Sequence, residues 1–204
     1  MKTLKHCLNA VLAAFFLFQC TGKTAEKGAE EVQETHQEVA MEFNGFESQI
    51  ALGEHLVLIG GCNDCHTPKK IGTHGMELDS ALWLSGHPAG SPSIDVDRKA
   101  MERKGLVVTQ VFTEWVGPWG VSYAANLTPD PTGLATWNEN QFIYAIRNGK
   151  YKGLPNSRPL MPPMPWEMFK FMTDMELKAI FAYLQSIKPV SNMVPPPIPP
   201  VGVQ

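Results

Sequence analysis

Residues 60–70 read "GGCNDCHTPKK", which sets two thiols three positions apart and an imidazole directly after the second, in Cys62, Cys65 and His66. C-x-x-C alone serves a redox dithiol or half of a zinc site. C-x-x-C-H is the pattern by which two thiols add to the vinyl groups of a haem. Two thioether bonds then fix the porphyrin edge against a short turn, and the adjacent imidazole lies beneath the iron as its proximal ligand. The competing readings ask for partners elsewhere in the chain. A structural zinc site takes four Cys or His ligands, yet there is no second C-x-x-C and no H-x₃₋₅-H. A thioredoxin-like dithiol follows a strand and opens a helix, whereas Pro68 closes this motif and no alternating strand precedes it. Haem c attachment uses all three side chains, with zinc and redox thiol as its rivals.

The beginning of the chain points the same way. Lys2 and Lys5 precede an apolar run from Val11 to Phe18, after which the sequence turns abruptly polar. Such a run is short for a bilayer span and reads as a secretory signal over residues 1–19. Covalent haem is acquired outside the cytoplasm in bacteria, so export and C-x-x-C-H support each other. Cys20, in "LFQC", resembles the lipidated Cys of a bacterial lipoprotein signal, with Gln19 departing from the small residue usual there. The expectation is an exported protein on the periplasmic side of a bacterial membrane, held by a lipid at Cys20. Ordinary signal cleavage and an uncleaved anchor are the alternatives. Cys7 is then discarded with the signal, and no Cys is left for a structural disulfide.

Residues 20–46 are rich in Glu, Ala, Gln and Thr and read as a polar tether, or else as a surface helix. Thr21 to Glu47 carries seven acids against Lys23 and Lys27, while residues 48–204 carry thirteen charges of each sign. A neutral folded part argues against a nucleic-acid partner and leaves steering to local patches, of which Lys69 and Lys70 with Arg147, Lys150, Lys152 and Arg158 form one candidate. Residues 47–190 are long enough for one core that wraps a single haem, and residues 191–204 form a Pro-rich C-terminal tail.

Three helices can be placed in that domain. "ESQIALGEHLVLI", 47–59, sets Ile50, Leu52, Leu56 and Ile59 near one face. "WNENQFIYAIRNGK" opens on a capping box of Asn138 and Gln141 and stops at Gly149. "TDMELKAIFAYLQSIKP" opens on Thr173 and Glu176 and stops before Pro189. Between the last two lies "SRPLMPPMPWEMF". A thioether suits low-spin haem iron, and flanking prolines stiffen the loop that would present it. Met164 is preferred over Met161 as the second iron ligand. His87 and His74 lie in loops and would make a bis-His haem of lower potential, although a turn or surface role is their ordinary reading.

With helix, C-x-x-C-H, Met loop and terminal helix in that order, the chain resembles class I c-type cytochromes. "CNDCHTPK", "LSGHP", "AANLTPDPTGLATW", "FIYAIRNGK", "RPLMPPMPW" and "AIFAYLQSIKPV" are similar to the cytochrome domains found in, or partnered with, bacterial periplasmic dehydrogenases. The resemblance implies a mostly α fold around one covalently bound haem, with long loops and an insertion at Pro88 to Pro118, where "LVVTQVF" is expected as a short strand. It makes Met164 the distal ligand, and it maps the N-x-T-P-D element onto Asn126, Thr128, Pro129 and Asp130, a loop expected on the haem side. Trp115, Trp119 and Trp137 are candidate pocket walls, with packing as their default role. The function implied is one-electron transfer with redox proteins as partners: Cys62 and Cys65 bind haem c, His66 and Met164 hold the iron, and Arg158 is a propionate partner. Many members carry two or three haems, whereas this chain has one motif. The alternative function is a haem oxidoreductase or haem sensor with an open or exchangeable axial position.

Overall fold

Residues 42–202 are described by a computed structural model. In chain order they form α1 (Gln49–Ile59), α2 (Cys62–His66), β1 (Lys69–Gly72), β2 (Gly75–Leu78), α3 (Arg98–Lys104), β3 (Glu114–Gly117), β4 (Gly120–Tyr123), α4 (Glu139–Asn148), α5 (Trp166–Phe169) and α6 (Asp174–Ser186), with 3₁₀ turns at Ser80–Leu82 and Tyr151–Gly153. The expected signal, the lipidated Cys20 and nearly all of the tether lie outside these residues. No described helix is long and apolar enough to cross a membrane.

Local chemistry accounts for the helix ends. Ser48 caps α1 by accepting the Ala51 N–H at 3.1 Å, and reciprocal capping boxes open α4 at Asn138 and Gln141 and α6 at Thr173 and Glu176. Gly149, at φ +60°, ends α4 in the left-handed region. The core lies between these helices. Leu52, Leu56 and Val57 of α1 meet Leu177, Ile180 and Leu184 of α6, while Phe142 of α4 sits 5.4 Å from Phe181. Each fully buried aliphatic side chain there contributes about 1.5–3 kcal/mol. The expected face of α1 is only half right, because Ile50 and Ile59 are exposed and Gly53 and Val57 are buried in their place. Ile50 stands about 160° around the helix from Leu52, away from α6.

The architecture is mixed, where the sequence suggested mostly α. Two antiparallel hairpins, β1–β2 and β3–β4, stand apart from each other with no larger sheet among the described residues. "LVVTQVF" is not the strand of the insertion: Val108 makes only an isolated bridge to Val116, and the hairpin lies further on at Glu114–Tyr123. Gly120, at φ +94°, permits the tight turn, a stronger determinant than a run of β-branched residues. Two boundaries also move. Phe43 and Phe46 pack on the core, so the folded part begins before residue 47. The Pro-rich end is fastened along its length, by Asn192, by an Ile198 to Val121 bridge, and by the Val201 N–H on Glu102 at 2.7 Å.

Glu114, at the start of β3, is 2% exposed, and only its Oε2 has a partner, the Ile94 N–H at 3.3 Å. Burial raises its pKa, against the smaller pulls of that N–H and of the Ser93 hydroxyl. The folded state therefore prefers the neutral acid, and this contribution to stability is lost as pH rises through the folded pKa. Glu114→Gln, which keeps an acceptor for the Ile94 N–H and cannot ionise, is expected to be more stable than the wild type above that titration. It should also remove the fall in stability that the wild type shows in denaturant melts as pH rises from the ordinary carboxylate range through the raised folded pKa. Equal slopes for both proteins would refute the assignment.

Candidate functional site

The C-x-x-C-H turn is a single turn of helix, α2, fixed at its end from a second loop. The Leu84 N–H donates to the buried Thr67 Oγ1 at 3.0 Å, and the Gly86 N–H donates to the His66 carbonyl at 2.7 Å. Neither cysteine is in a disulfide, and both are partly accessible. Burial pushes the Cys62 thiol up to about 11 and also raises Cys65, where Lys69 pulls the other way. A redox dithiol needs a depressed pKa, so this environment opposes that reading. Among the described residues no group of three or more His, Cys, Asp or Glu is placed to hold a metal ion, which leaves a zinc site without its ligand set.

The His66 ring is tied down. Its Nδ1 lies 2.7 Å from the Ala125 carbonyl oxygen. A carbonyl only accepts, so Nδ1 carries the proton and Nε2 keeps its lone pair for a metal. Burial lowers the His66 pKa, partly opposed by that carbonyl, and favours the neutral imidazole. Ala125 immediately precedes Asn126, which places the N-x-T-P-D loop beside the motif. Asn126 itself is buried and structural: its Oδ1 accepts from the Thr128 N–H at 2.9 Å and the Thr128 hydroxyl at 2.8 Å.

Met164 is half-buried and packs on the same hydrophobic cluster as Cys62. Its loop is pinned at several points. The Leu160 N–H donates to the Gly149 carbonyl at 2.7 Å and the Trp166 N–H to the Met164 carbonyl at 2.9 Å. The Ser122 hydroxyl of β4 donates to the Pro162 carbonyl at 2.6 Å, and that hydroxyl oxygen accepts the Trp119 Nε1–H at 3.0 Å. Gly149 is needed for space as well as for φ, since a Cβ there would come within 2.4 Å of the Trp166 ring. Ser122 was not recognisable as a site residue in the sequence, because a lone serine in a hairpin carries no pattern. Trp119, a candidate pocket wall with packing as its default role, braces this loop through Ser122.

Arg158 is stacked over the Tyr151 ring at 3.9 Å, with Nη1 on the Pro159 carbonyl at 3.0 Å. His87 is 2% exposed, unlike the turn or surface residue expected; its Nδ1 lies 3.0 Å from the Thr113 hydroxyl and its ring 4.8 Å from Tyr123. His74 is exposed beside the β1–β2 turn. The suggested basic patch is largely engaged: Lys69 donates to the Thr67 carbonyl at 2.9 Å, Lys70 pairs with Asp79 at 3.6 Å and Arg147 with Asp174 at 2.6 Å.

Two accessible thiols on one helical turn, a neutral imidazole with its Nε2 free, and a thioether in a stiff loop on the same core make a donor set that fits a covalently held haem. No protein-family model matches the chain. It is 32% identical over 148 residues to the fructose dehydrogenase cytochrome subunit of Gluconobacter japonicus, covering 72% of this chain and 23% of that protein. It is 37% identical over 77 residues to the cytochrome c subunit of the quinone alcohol dehydrogenase of Komagataeibacter europaeus, 37% of this chain and 16% of the relative. A nicotinate dehydrogenase polypeptide of Pseudomonas putida is 37% identical over 79 residues, 38% of this chain and 6% of that protein. The chain spans less than a quarter of the length of each.

Proposed function

We propose that this chain, a relative of the cytochrome c subunits of bacterial dehydrogenases over part of its length, is a single-haem c-type cytochrome with a class I cytochrome c-like fold. It passes electrons one at a time between a dehydrogenase or respiratory complex and an acceptor, and it acts as a carrier rather than an enzyme. Haem c supplies a one-electron iron couple when bound. Cys62 and Cys65 would hold the haem by thioether bonds, His66 and Met164 would supply the donors to its iron, and Arg158 is the candidate propionate partner. Export and a lipid at Cys20 would hold the protein at the periplasmic side of the membrane.

The observation that carries this reading is the bond from His66 to the Ala125 carbonyl, on the same helical turn as Cys62 and Cys65. A hydrogen-bonded imidazole keeps its tautomer and orientation and is the more basic ligand for it. Prolines on both sides of Met164 leave that donor little entropy to lose. Donors held this firmly would suit a centre that changes oxidation state with little rearrangement.

The exported protein, matured with haem, is expected to keep one haem per chain through denaturation and acid-solvent extraction, read by the alkaline pyridine spectrum. Cys62→Ser with Cys65→Ser should release all of it. Haem retained by the double variant, or stoichiometric zinc in the wild type, would overturn the reading.

A further inference from the structure

After α6 the chain crosses two loops and joins them. Val190 gives its N–H to Thr128 Oγ1 at 3.1 Å, and its carbonyl accepts from Asn126 Nδ2 at 2.8 Å. Thr132 Oγ1 accepts from Asn126 Nδ2 at 3.0 Å and from the Asn192 N–H at 3.0 Å. Asn192 then reaches the other loop with its whole amide. Its Nδ2 donates to the Ser85 carbonyl at 2.7 Å and the His87 carbonyl at 2.9 Å, while its Oδ1 accepts the Ala89 N–H at 2.8 Å. Every hydrogen-bonding position of that side chain except a second acceptor lone pair is used.

The two loops so joined are the ones that hold His66. Gly86 binds its carbonyl and Ala125 binds its ring, each at 2.7 Å. They also touch each other: the His87 N–H donates to the Ala124 carbonyl at 2.9 Å, and a Cβ on Gly86 would lie 2.6 Å from the Ala125 carbonyl oxygen. A displacement of one loop therefore moves the acceptor on which His66 Nδ1 depends.

We infer that the segment Val190–Asn192 is a positioning element for His66, with Asn192 as its positioning residue and Thr132 as the relay to the Ala125–Asp130 loop. The inference rests on His66 being an iron ligand, as proposed above. The chemistry gives the sign. A weaker Nδ1–H to carbonyl bond makes the imidazole a poorer donor, and a poorer donor stabilises the oxidised iron less. Loosening the segment favours reduction.

The test uses the full haem-loaded chain with Asn192→Ala and Thr132→Val, and with Ile198→Ala as a comparison that trims side-chain packing six residues further along the tail and leaves the backbone bridge to Val121 in place. Asn192→Ala and Thr132→Val are each expected to move the one-electron reduction equilibrium about tenfold toward the reduced form, ~59 mV, and to shift the paramagnetic proton resonances of the His66 ring. Ile198→Ala should lower the melting temperature and leave potential and resonances as in the wild type. Thr132→Val carries the test should Asn192→Ala fail to hold haem. Variants that melt earlier with wild-type potential and ring resonances would reduce the segment to a structural clip and overturn the inference. A wild-type spectrum without imidazole ligation would instead sink the assignment of His66 on which it stands.

Discussion

Met164→Ala is expected to turn the haem-loaded protein from six-coordinate and low-spin to high-spin, and to make its ferrous form bind carbon monoxide readily. The reduction potential should fall on the order of 0.1 V, a fraction of the roughly 0.8 V over which axial ligands act, because thioether ligation is what raises it. Apart from Met161 and the exposed carboxylate of Glu167, the loop around Met164 offers no replacement. Pro162, Pro163, Pro165 and Leu160 have no side-chain donor atom, and the Trp166 indole only gives a proton; these residues with Glu167 already border a cavity of about 170 Å³. Truncation widens that space and loses packing against the core, at a cost of about 2 kcal/mol, so spectra should be taken well below the melting temperature. Met161, half-buried in the same loop, supplies the comparison: Met161→Ala should keep the wild-type spectrum. The reverse result transfers the ligand to Met161. A wild type that itself binds carbon monoxide quickly would mean an exchangeable axial position, and the oxidoreductase or sensor reading would displace electron transfer.

What could be read beforehand from the sequence follows how local each determinant is. The capping boxes at Asn138 and Gln141 and at Thr173 and Glu176 are written within four residues, and both helices begin where those residues put them. Cys62, Cys65 and His66 are contiguous chemistry for the same reason. The Ala125 carbonyl that orients His66 lies 59 positions away and belongs to a residue whose side chain carries no chemistry; the only signal was the polar turn sequence that follows it. Asn192 looked like part of a loose tail because proline-rich composition describes the backbone's stiffness and says nothing of where three side-chain hydrogen bonds will be made. His87 went astray in the same way. Its loop setting suggested exposure, whereas Thr113 of the insertion and Tyr123 just after it close over it. The insertion ends in the first strand of a hairpin rather than in a loop, and Ser122 of the strand that follows it fastens the Met164 loop.

Gly53→Ala should destabilise the protein by about 3 kcal/mol or more, lowering the melting temperature by roughly 6–12 °C for a domain of this size. Two effects of opposite sign meet at this residue, and their magnitudes decide the outcome. In an exposed helix interior the change from Gly to Ala gains about 1 kcal/mol. Gly53, however, lies where α1 crosses α6, and a Cβ there would stand 1.9 Å from the Ala179 carbonyl oxygen and 2.8 Å from the Tyr183 Cβ. The nearer contact is with backbone, which no rotamer change relieves, so the helices must part by about 1 Å. A gap of that size forfeits a quarter to a half of each dispersion contact along the crossing, and that crossing joins Leu52, Leu56 and Val57 to Leu177, Ile180 and Leu184. Moving α6 also disturbs Tyr183, whose hydroxyl accepts the Trp83 Nε1–H at 3.2 Å. Denaturant melts of the haem-loaded wild type and variant measure the balance. A variant as stable as the wild type, or more so, would mean that propensity outweighs contact and that α1 and α6 do not approach this closely.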